Sequence, residues 1–501
     1  HLQKHHRICP QNPDSVINTA ARPVAAAAHA ASTPPTTVDH AGLIPTNAAF
    51  LQHLTLHPDS LMHVQGSAIP FIPNKAAGLF DGAVAHTITA ANRNLDNDLP
   101  VALLASLPRL LLAPPSSDST VGQLPDLIIT RLHRLTRGGA HGLWAEHDWL
   151  SNLPTPDIIR RITPEMRPAI MKSSLTSARP YQLFKRLTAI PFCPPTDAVR
   201  RIVESKIPST PNPDAAALLT LAKEHLPQPP FGKTHGLSPG DLTAIHTTWR
   251  RVIARAPPNG APDGTGLRFS HLQSCSAALP AIALWITHIW SHRRSRFLTW
   301  WLLSTTICAQ CKKDNDGNYP ATPADIKSAR PISRLAIFRR LMARHGSPGV
   351  CKALVPILEP WRQYGLSPSG CPAASRTAQL HVDIAPTDPH GPADIENAHS
   401  SIRRLPTLLT LRVLTSKFPA NHHHKIHFLW NLAYYAVGPT IVFIQTDASE
   451  HGPFFQTLQT DAIAQGDGFA TPTFGAAYTL NIIPPMTRLF PVGSFDHPLI
   501  H

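Results

Sequence analysis

Two acidic residues in the C-terminal half of the chain, Asp394 and Asp496, lie in short polar runs that would suit metal-dependent chemistry. Asp394 begins the run DIENAHSSIRR, and Asp496 follows the aromatic residue of VGSFDHPLI. Carboxylate oxygens are the ligands that Mg²⁺ prefers, and two such ions can stabilise the charge that develops in an in-line phosphoryl transfer. Each residue also has a plainer interpretation, Asp394 as the N-cap of a helix and Asp496 as part of an ordinary turn.

Further segments accompany Asp394 in a definite order along the chain. They are the Gly- and Pro-rich run APPNGAPDGTGLRFSHL at 256–272, the stretch from Lys312 and Lys313 to Arg330-Pro331-Ile332, Asn397-Ala398 after Asp394, and Gln465-Gly466. In this order they resemble the fingers and palm motifs of reverse transcriptases of the non-LTR retrotransposon type. The resemblance covers about residues 250–501, and we expect a degenerate and truncated copy without a thumb.

The resemblance implies RNA-templated DNA synthesis, with an RNA template, a DNA primer and deoxynucleoside triphosphates as partners. Asp394 and Asp496 would be the catalytic residues and would hold the metal ions, Mg²⁺ or alternatively Mn²⁺. Arginine's planar fork suits the triphosphate. The other implied site residues are Lys312, Lys313, Arg330 and His399 for the nucleotide, and Gln465 and Gly466 for the template and primer.

Several positions depart from the family pattern. Prolines and a glycine at 386–392 interrupt the stretch before Asp394, where the family has a central strand and proline has no place. His399 replaces the aromatic residue that packs under the sugar in the family, and His497 stands where a second aspartate is usual. Because a neutral imidazole is a poor ligand for Mg²⁺, activity would fall by orders of magnitude. An inactive, decayed copy is therefore the alternative.

The charge balance favours a polyanionic partner. Lysine and arginine total 45 against 31 aspartates and glutamates, a net charge of +14 before any of the 29 histidines is protonated. A basic surface of this kind is typical of nucleic-acid-binding proteins. Charge does not distinguish an enzyme from the rival class, a basic, Pro-rich nucleic-acid-binding or scaffolding protein without catalysis.

The seven cysteines do not form the even framework of a small secreted domain. We therefore expect an intracellular, reducing compartment, with nucleus and cytoplasm both open. Cys308 and Cys311 form a lone CxxC in an apolar run, which favours a strand over a zinc site. The apolar segment Cys275–Trp290 is shorter than the roughly 20 residues of a membrane span. It is predicted to be a buried helix, and no membrane partner is expected.

Composition and periodicity predict an α+β fold of about three domains. Because the chain does not begin with methionine, we expect a piece of a longer protein. Proline, at 53 of 501 residues, is enriched and favours disorder in part of the chain. The predicted parts are a low-complexity, largely disordered segment at 1–118, a helical region at 119–250, a fingers-like part at 251–380 and a palm-like part at 381–501.

Local signals predict individual elements. Apolar residues at spacings of three and four predict a helix over Leu124–Leu135, and Ser238 is expected to cap a helix that begins at Pro239. The three consecutive histidines His422–His424 cannot converge on one ion from a helix or a strand, so we expect a solvated loop there. The remaining predicted elements are helices over Asp197–Glu204 and Ala215–His225, a basic helix around Arg339, and a strand over Ile307–Lys313.

Overall fold

The computed structural model of the chain describes residues 40–63, 69–113, 124–146, 192–231, 237–258, 260–314, 317–320, 322–358, 366, 376, 379, 383, 398–445 and 454–481. Within these residues the chain is mostly helical and forms one mixed, four-stranded β-sheet. This confirms the α+β class. One large hydrophobic core joins helices from both halves of the chain, and a smaller core lies against the sheet.

The first helices belong to the segment 1–118, which we expected to be largely disordered. They are α1 at Ala48–Leu56, α2 at Asn74–Arg93 and α3 at Asp98–Leu112, with short 3₁₀ turns at His40–Gly42, Pro45–Asn47 and Pro58–His63. The expectation is wrong for 40–63 and 69–113. Every residue from 100 to 112 is buried, as is typical of a helix that is apolar on all faces. Pro100 lies in the first turn of α3, where backbone N–H groups have no intrahelical acceptor.

Four of the five helices described in the next region were predicted, and the one at Ala140–Glu146 was not. They are α4 at Leu124–Thr136, α5 at Ala140–Glu146, α6 at Asp197–Glu204, α7 at Ala215–His225 and α8 at Pro239–Ala254. Ser238 and Asp241 form a capping box, in which Ser238 N donates to Asp241 Oδ2 at 3.1 Å and Asp241 N donates to Ser238 Oγ at 3.2 Å. This reciprocal cap fixes the start of α8 at the predicted residue.

Three helices lead into the sheet. They are α9 at Phe269–Gln273, α10 at Leu279–Trp290 and α11 at Arg296–Leu303. Helix α10 is the buried helix that the apolar run predicted, with Trp285 and Ile286 fully inside the main core. None of the helices in the described part of the chain combines the length and apolar character that a bilayer crossing requires.

The sheet consists of two antiparallel hairpins joined by a parallel pair. Its strands are β1 at Ser304–Cys311, β2 at Ala329–Leu335, β3 at Thr440–Gln445 and β4 at Phe454–Gln459, in the order β2-β1-β3-β4. Ile307 of β1 faces Ser333 of β2 on one side and Ile444 of β3 on the other. The CxxC run lies on β1 as predicted, and Lys312 and Lys313 follow the end of that strand.

The remaining helices pack mainly against one another. They are α12 at Ile337–Leu358, α13 at Ala398–Ser401, α14 at Arg404–Lys417, α15 at His422–Asn431, a π-helical turn at Leu432–Ala436, and α16 at Ala470–Asn481. The expectation of a loop at His422–His424 is wrong, because these residues form the first turn of α15. Asn421 caps that turn by accepting from His423 N at 3.1 Å. Neighbouring side chains on a helix point in different directions, so His424 is buried while His422 is exposed.

Candidate functional site

The turn at Gln465-Gly466-Asp467 is joined directly to strand β2. Ser333 N donates to Gln465 O at 2.7 Å. Gly466 has a φ of +122°, and a Cβ at this position would overlap the Ser333 carbonyl oxygen. Glycine alone combines this backbone conformation with this approach. Two segments singled out separately in the sequence, the RPI strand and the glutamine-glycine turn, therefore form one structural unit.

Replacing Gly466 with alanine is expected to lower the free energy of unfolding by about 2–4 kcal/mol, because the side chain adds backbone strain and a steric overlap. Chemical denaturation monitored by circular dichroism measures the change. Gly78→Ala is the matched control, since Gly78 lies in α2 and a Cβ added there would meet nothing within 4 Å. Alanine at position 78 is expected to stabilise by about 0.5–1 kcal/mol. Equal effects of the two substitutions would contradict the assigned role of Gly466.

Asp467 anchors the same turn to the core through a buried ion pair. Arg339 Nη2 donates to Asp467 Oδ2 at 2.5 Å, and both side chains are fully buried. Tyr435 Oη and Trp430 Nε1 donate to the same oxygen at 2.7 and 3.3 Å, and Phe469 N donates to Oδ1 at 3.0 Å. Burial lowers the pKa of Arg339, but the Asp467 charge and the neighbouring tyrosines outweigh that effect, so this pKa lies above its ordinary value.

The segment that follows Asp394 also contacts the turn. Ile463 N donates to His399 O at 3.2 Å, two residues before Gln465. The imidazole of His399 lies 5.7 Å from the ring of Phe474, centroid to centroid. Burial lowers the pKa of His399, so the side chain is neutral at pH 7. A neutral, half-buried ring presents an aromatic surface rather than a charge.

The Gly- and Pro-rich run at 256–272 is held to the end of β2 by Asp263. Its Oδ1 accepts from Thr265 N, Thr265 Oγ1 and Leu267 N at 3.0, 2.7 and 3.1 Å, and its Oδ2 accepts from Ile337 N at 3.0 Å. Burial raises the pKa of Asp263, and the four donors oppose that rise because they favour the carboxylate. One side chain thus fixes the turns of the loop and satisfies the first N–H group of α12.

Cationic side chains are concentrated on the β1–β2 hairpin. Arg330 is exposed and faces Gln310 across the hairpin, and Arg334 points to the same face because strand residues alternate. Lys312 N donates to Ser328 O at 3.4 Å, and Lys313 Nζ lies 5.3 Å from the centre of the Tyr319 ring. Among the described residues, no ion pair engages Lys312, Lys313 or Arg330, so these three charges are available to an anionic partner.

Most, but not all, of the predicted site residues lie among the described residues. Lys312, Lys313 and Arg330 share one hairpin, whereas His399, Gln465 and Gly466 meet around the turn. Asp394 and Asp496 lie outside the described residues, and so does the interrupted stretch at 386–392. Within the described residues no group of three His, Cys, Asp or Glu side chains has the arrangement of a metal site.

Sequence reasoning missed three residues that hold this region together. The sequence analysis gave no role to Asp263 or Arg404, and it did not foresee Asp467 as the partner of Arg339. A basic helix against the core was predicted around Arg339, and α12 confirms it. The loop sequence PDGTG carried a signal for Asp263, because aspartate before Gly and Thr commonly bonds its own turn. No spacing rule links Arg339 to an aspartate so far along the chain.

Comparison with known proteins adds no assignment. No protein-family model matches the sequence, and no curated protein matches it.

Proposed function

We propose that this chain is a reverse-transcriptase-like protein that carries out RNA-templated DNA synthesis by two-metal phosphoryl transfer. In this proposal Asp394 and Asp496 hold Mg²⁺ or Mn²⁺ and act as the catalytic carboxylates. Arg330, Lys312 and Lys313 bind the triphosphate. His399 lies beside the sugar, and Gln465 with Gly466 supports the template and primer.

The observation that carries the proposal is a contact network that unites segments far apart in sequence. Ser333 of the RPI strand bonds the Gln465 turn, and His399 O accepts from Ile463 N just before that turn. Asp263 ties the Gly- and Pro-rich run to Ile337, the first residue of the helix that follows the same strand. These are the segments whose order resembles the family motifs. Direct contact among them is what a shared site requires.

A second observation concerns charge. Phosphoryl transfer from a triphosphate to a 3′ hydroxyl needs cations that hold the triphosphate oxygens without being neutralised by protein carboxylates. The β1–β2 hairpin presents Arg330, Lys312 and Lys313 on the same end of the sheet, without ion-pair partners in the described chain. This arrangement suits a triphosphate, and it suits the phosphates of a nucleic-acid strand equally well.

Primer extension tests the proposal. The 501-residue chain is incubated with a DNA primer annealed to an RNA template, deoxynucleoside triphosphates, and Mg²⁺ or Mn²⁺. We expect extension by the unsubstituted chain and a loss of orders of magnitude in Asp394→Ala, because one metal-binding carboxylate is removed. Asp96→Ala is the matched control, since Asp96 is exposed and its side chain has no role in the network. Extension that persists in Asp394→Ala would exclude the proposed active site.

The unpaired cations also favour a second candidate, a nucleic-acid-binding protein without catalysis. In that case the unsubstituted chain gives no extension, yet it binds single-stranded RNA in a salt-dependent manner. Arg330→Ala would then weaken binding and reduce the slope of log K against log salt by about 0.7, the value for one phosphate contact on a single strand. Arg412→Ala, which removes an exposed arginine from α14, is expected to leave the slope unchanged.

A further inference from the structure

A second basic site shares no residue with the Gln465 turn or the β1–β2 hairpin. It is a cavity of about 350 Å³ between the C-terminal end of α7, the loop after it, and the start of α11. This volume is at the lower end of the range for small-ligand pockets. Lys223, Arg294 and Arg296 line the cavity, and none of its lining residues is acidic.

Arg294 is the decisive residue, because its charge is buried and none of the carboxylates that the structure describes forms an ion pair with it. Only 8% of the residue is exposed. Nη2 donates to His292 Nδ1 at 2.7 Å, Nη1 makes a long bond of 3.4 Å to Ala433 O, and Nε has no hydrogen-bond partner among the described residues. A guanidinium keeps its proton in proteins, and an unpaired buried charge is costly. An anion in the cavity would supply the missing countercharge.

The surroundings of Arg294 hold it in one orientation. Its guanidinium carbon lies 4.5 Å from the centre of the Tyr434 ring. His292 adopts a positive φ of 59°, a strained conformation of a kind that is concentrated at functional sites. Burial and then the Arg294 charge lower the pKa of His292 well below its usual range, so its imidazole is neutral and can accept from the arginine. The donor is therefore preorganised before any ligand arrives.

The rest of the cavity wall is mainly apolar. Leu226, Phe231 and Val437 contribute hydrocarbon and aromatic surface. Gln228 Nε2 donates to Leu226 O at 3.1 Å within the loop that lines the cavity. Asp98, the first residue of α3, already accepts a hydrogen bond from Phe297 N in the first turn of α11, at 2.9 Å. The cavity therefore combines a cationic end with an apolar wall.

We propose that this cavity binds a small phosphorylated organic molecule, with its phosphate on the three cations and its body against the apolar wall. A phosphate accepts several charge-assisted hydrogen bonds at once, which suits an arginine fork with an unused N–H group. The site is separate from the proposed polymerase function and does not depend on it.

Isothermal titration calorimetry with adenosine monophosphate tests this proposal, using the full chain in buffer with EDTA so that no metal-dependent nucleotide site contributes. We expect saturable binding that the double variant Lys223→Gln/Arg296→Gln weakens ten-fold or more, since two charge-assisted contacts are lost. Both side chains are exposed and form no ion pair in the described chain, so the melting temperature of the unliganded double variant should be unchanged. Arg294→Met should abolish binding.

Matched controls separate phosphate recognition from nonspecific charge attraction and from binding of the base alone. Arg412→Gln/Lys425→Gln removes the same charge from an exposed region elsewhere and should bind like the unsubstituted chain. Adenosine should bind much more weakly than its monophosphate. The proposal is overturned if the monophosphate does not bind, if the Lys223→Gln/Arg296→Gln variant binds it as tightly, or if adenosine binds equally well. It is also overturned if only a 5′-phosphorylated oligonucleotide binds, because the site would then belong to a strand.

Discussion

Asp467→Asn is expected to lower the free energy of unfolding by about 3–5 kcal/mol, because it leaves the Arg339 guanidinium charged, fully buried and without its carboxylate. Urea denaturation followed by tryptophan fluorescence measures the change, and Trp430 provides a probe because its Nε1 donates to the same carboxylate. Asp126→Asn is the matched control. Asp126 pairs with Lys75 at 2.6 Å on the surface, with both side chains 65% exposed, and such pairs contribute about 1 kcal/mol or less.

Replacing both partners should not restore stability. A simple buried ion pair can often be exchanged for two apolar side chains at little cost. Asp467, however, also accepts from Tyr435 Oη, Trp430 Nε1 and Phe469 N. Arg339→Met/Asp467→Leu leaves those three buried donors without an acceptor, and each unsatisfied donor is costly. A double variant as stable as the unsubstituted chain would show that the carboxylate serves Arg339 alone.

Stability at this turn bears on function because Gly466 and Asp467 are adjacent. Gly466 lets the backbone approach Ser333, and Asp467 fixes the next residue to the core through Arg339. In the proposed polymerase the glutamine-glycine turn must keep one position beside the template and primer. In that proposal the ion pair would act as a positioning device for the turn, a role that was foreseen for neither Asp467 nor Arg339.

Local chemistry explains which elements the sequence predicted well. Helix α8 begins at the position that Ser238, Pro239 and Asp241 predict, because capping depends only on residues within one turn. Helix α4 was recognised because its apolar residues recur on one face. Residues 40–63 and 69–113 were misjudged because their proline and alanine content suggested disorder, while their burial depends on distant helices. Strands β3 and β4 were not predicted, although TIVFIQ is rich in β-branched and aromatic residues and carried the signal.

The candidate site was harder to predict from the sequence than the helices were, and the reason is physical. Its motifs could be found one by one, since each is a short run of residue types. The bonds that join them, such as Ser333 to Gln465 and Arg339 to Asp467, connect residues more than a hundred positions apart. Such pairs follow from tertiary packing, which no local pattern encodes. The catalytic roles of Asp394 and Asp496 remain a prediction, which primer extension tests.

Arg404 is the last residue of the run that begins at Asp394. Its replacement by alanine is expected to lower the free energy of unfolding about as much as Asp467→Asn does. It is 3% exposed, and its guanidinium donates to four backbone carbonyls, those of Tyr435, Gly438, Gln459 and Ala462, and to Thr440 Oγ1, at distances of 2.9 to 3.3 Å. Burial lowers the pKa of Arg404 to about 10, so it stays charged at pH 7. Arg404→Ala should lower the free energy of unfolding by on the order of 4 kcal/mol, because several buried acceptors lose their donor and a cavity remains.

The neighbouring arginine is an unusually close control for Arg404. Arg403 forms ion pairs with Asp214 at 2.7 Å and Asp461 at 3.7 Å, but its side chain is 55% exposed. Arg403→Ala should therefore cost about 1 kcal/mol or less in the same urea titration. Equal losses from both substitutions would contradict the anchoring role. If Arg404 does hold the start of α14 to β3 and β4, then Arg404→Lys, with three donors in place of five, should fall between the two. Residues 398–403 would then owe their position to Arg404 at the end of the run.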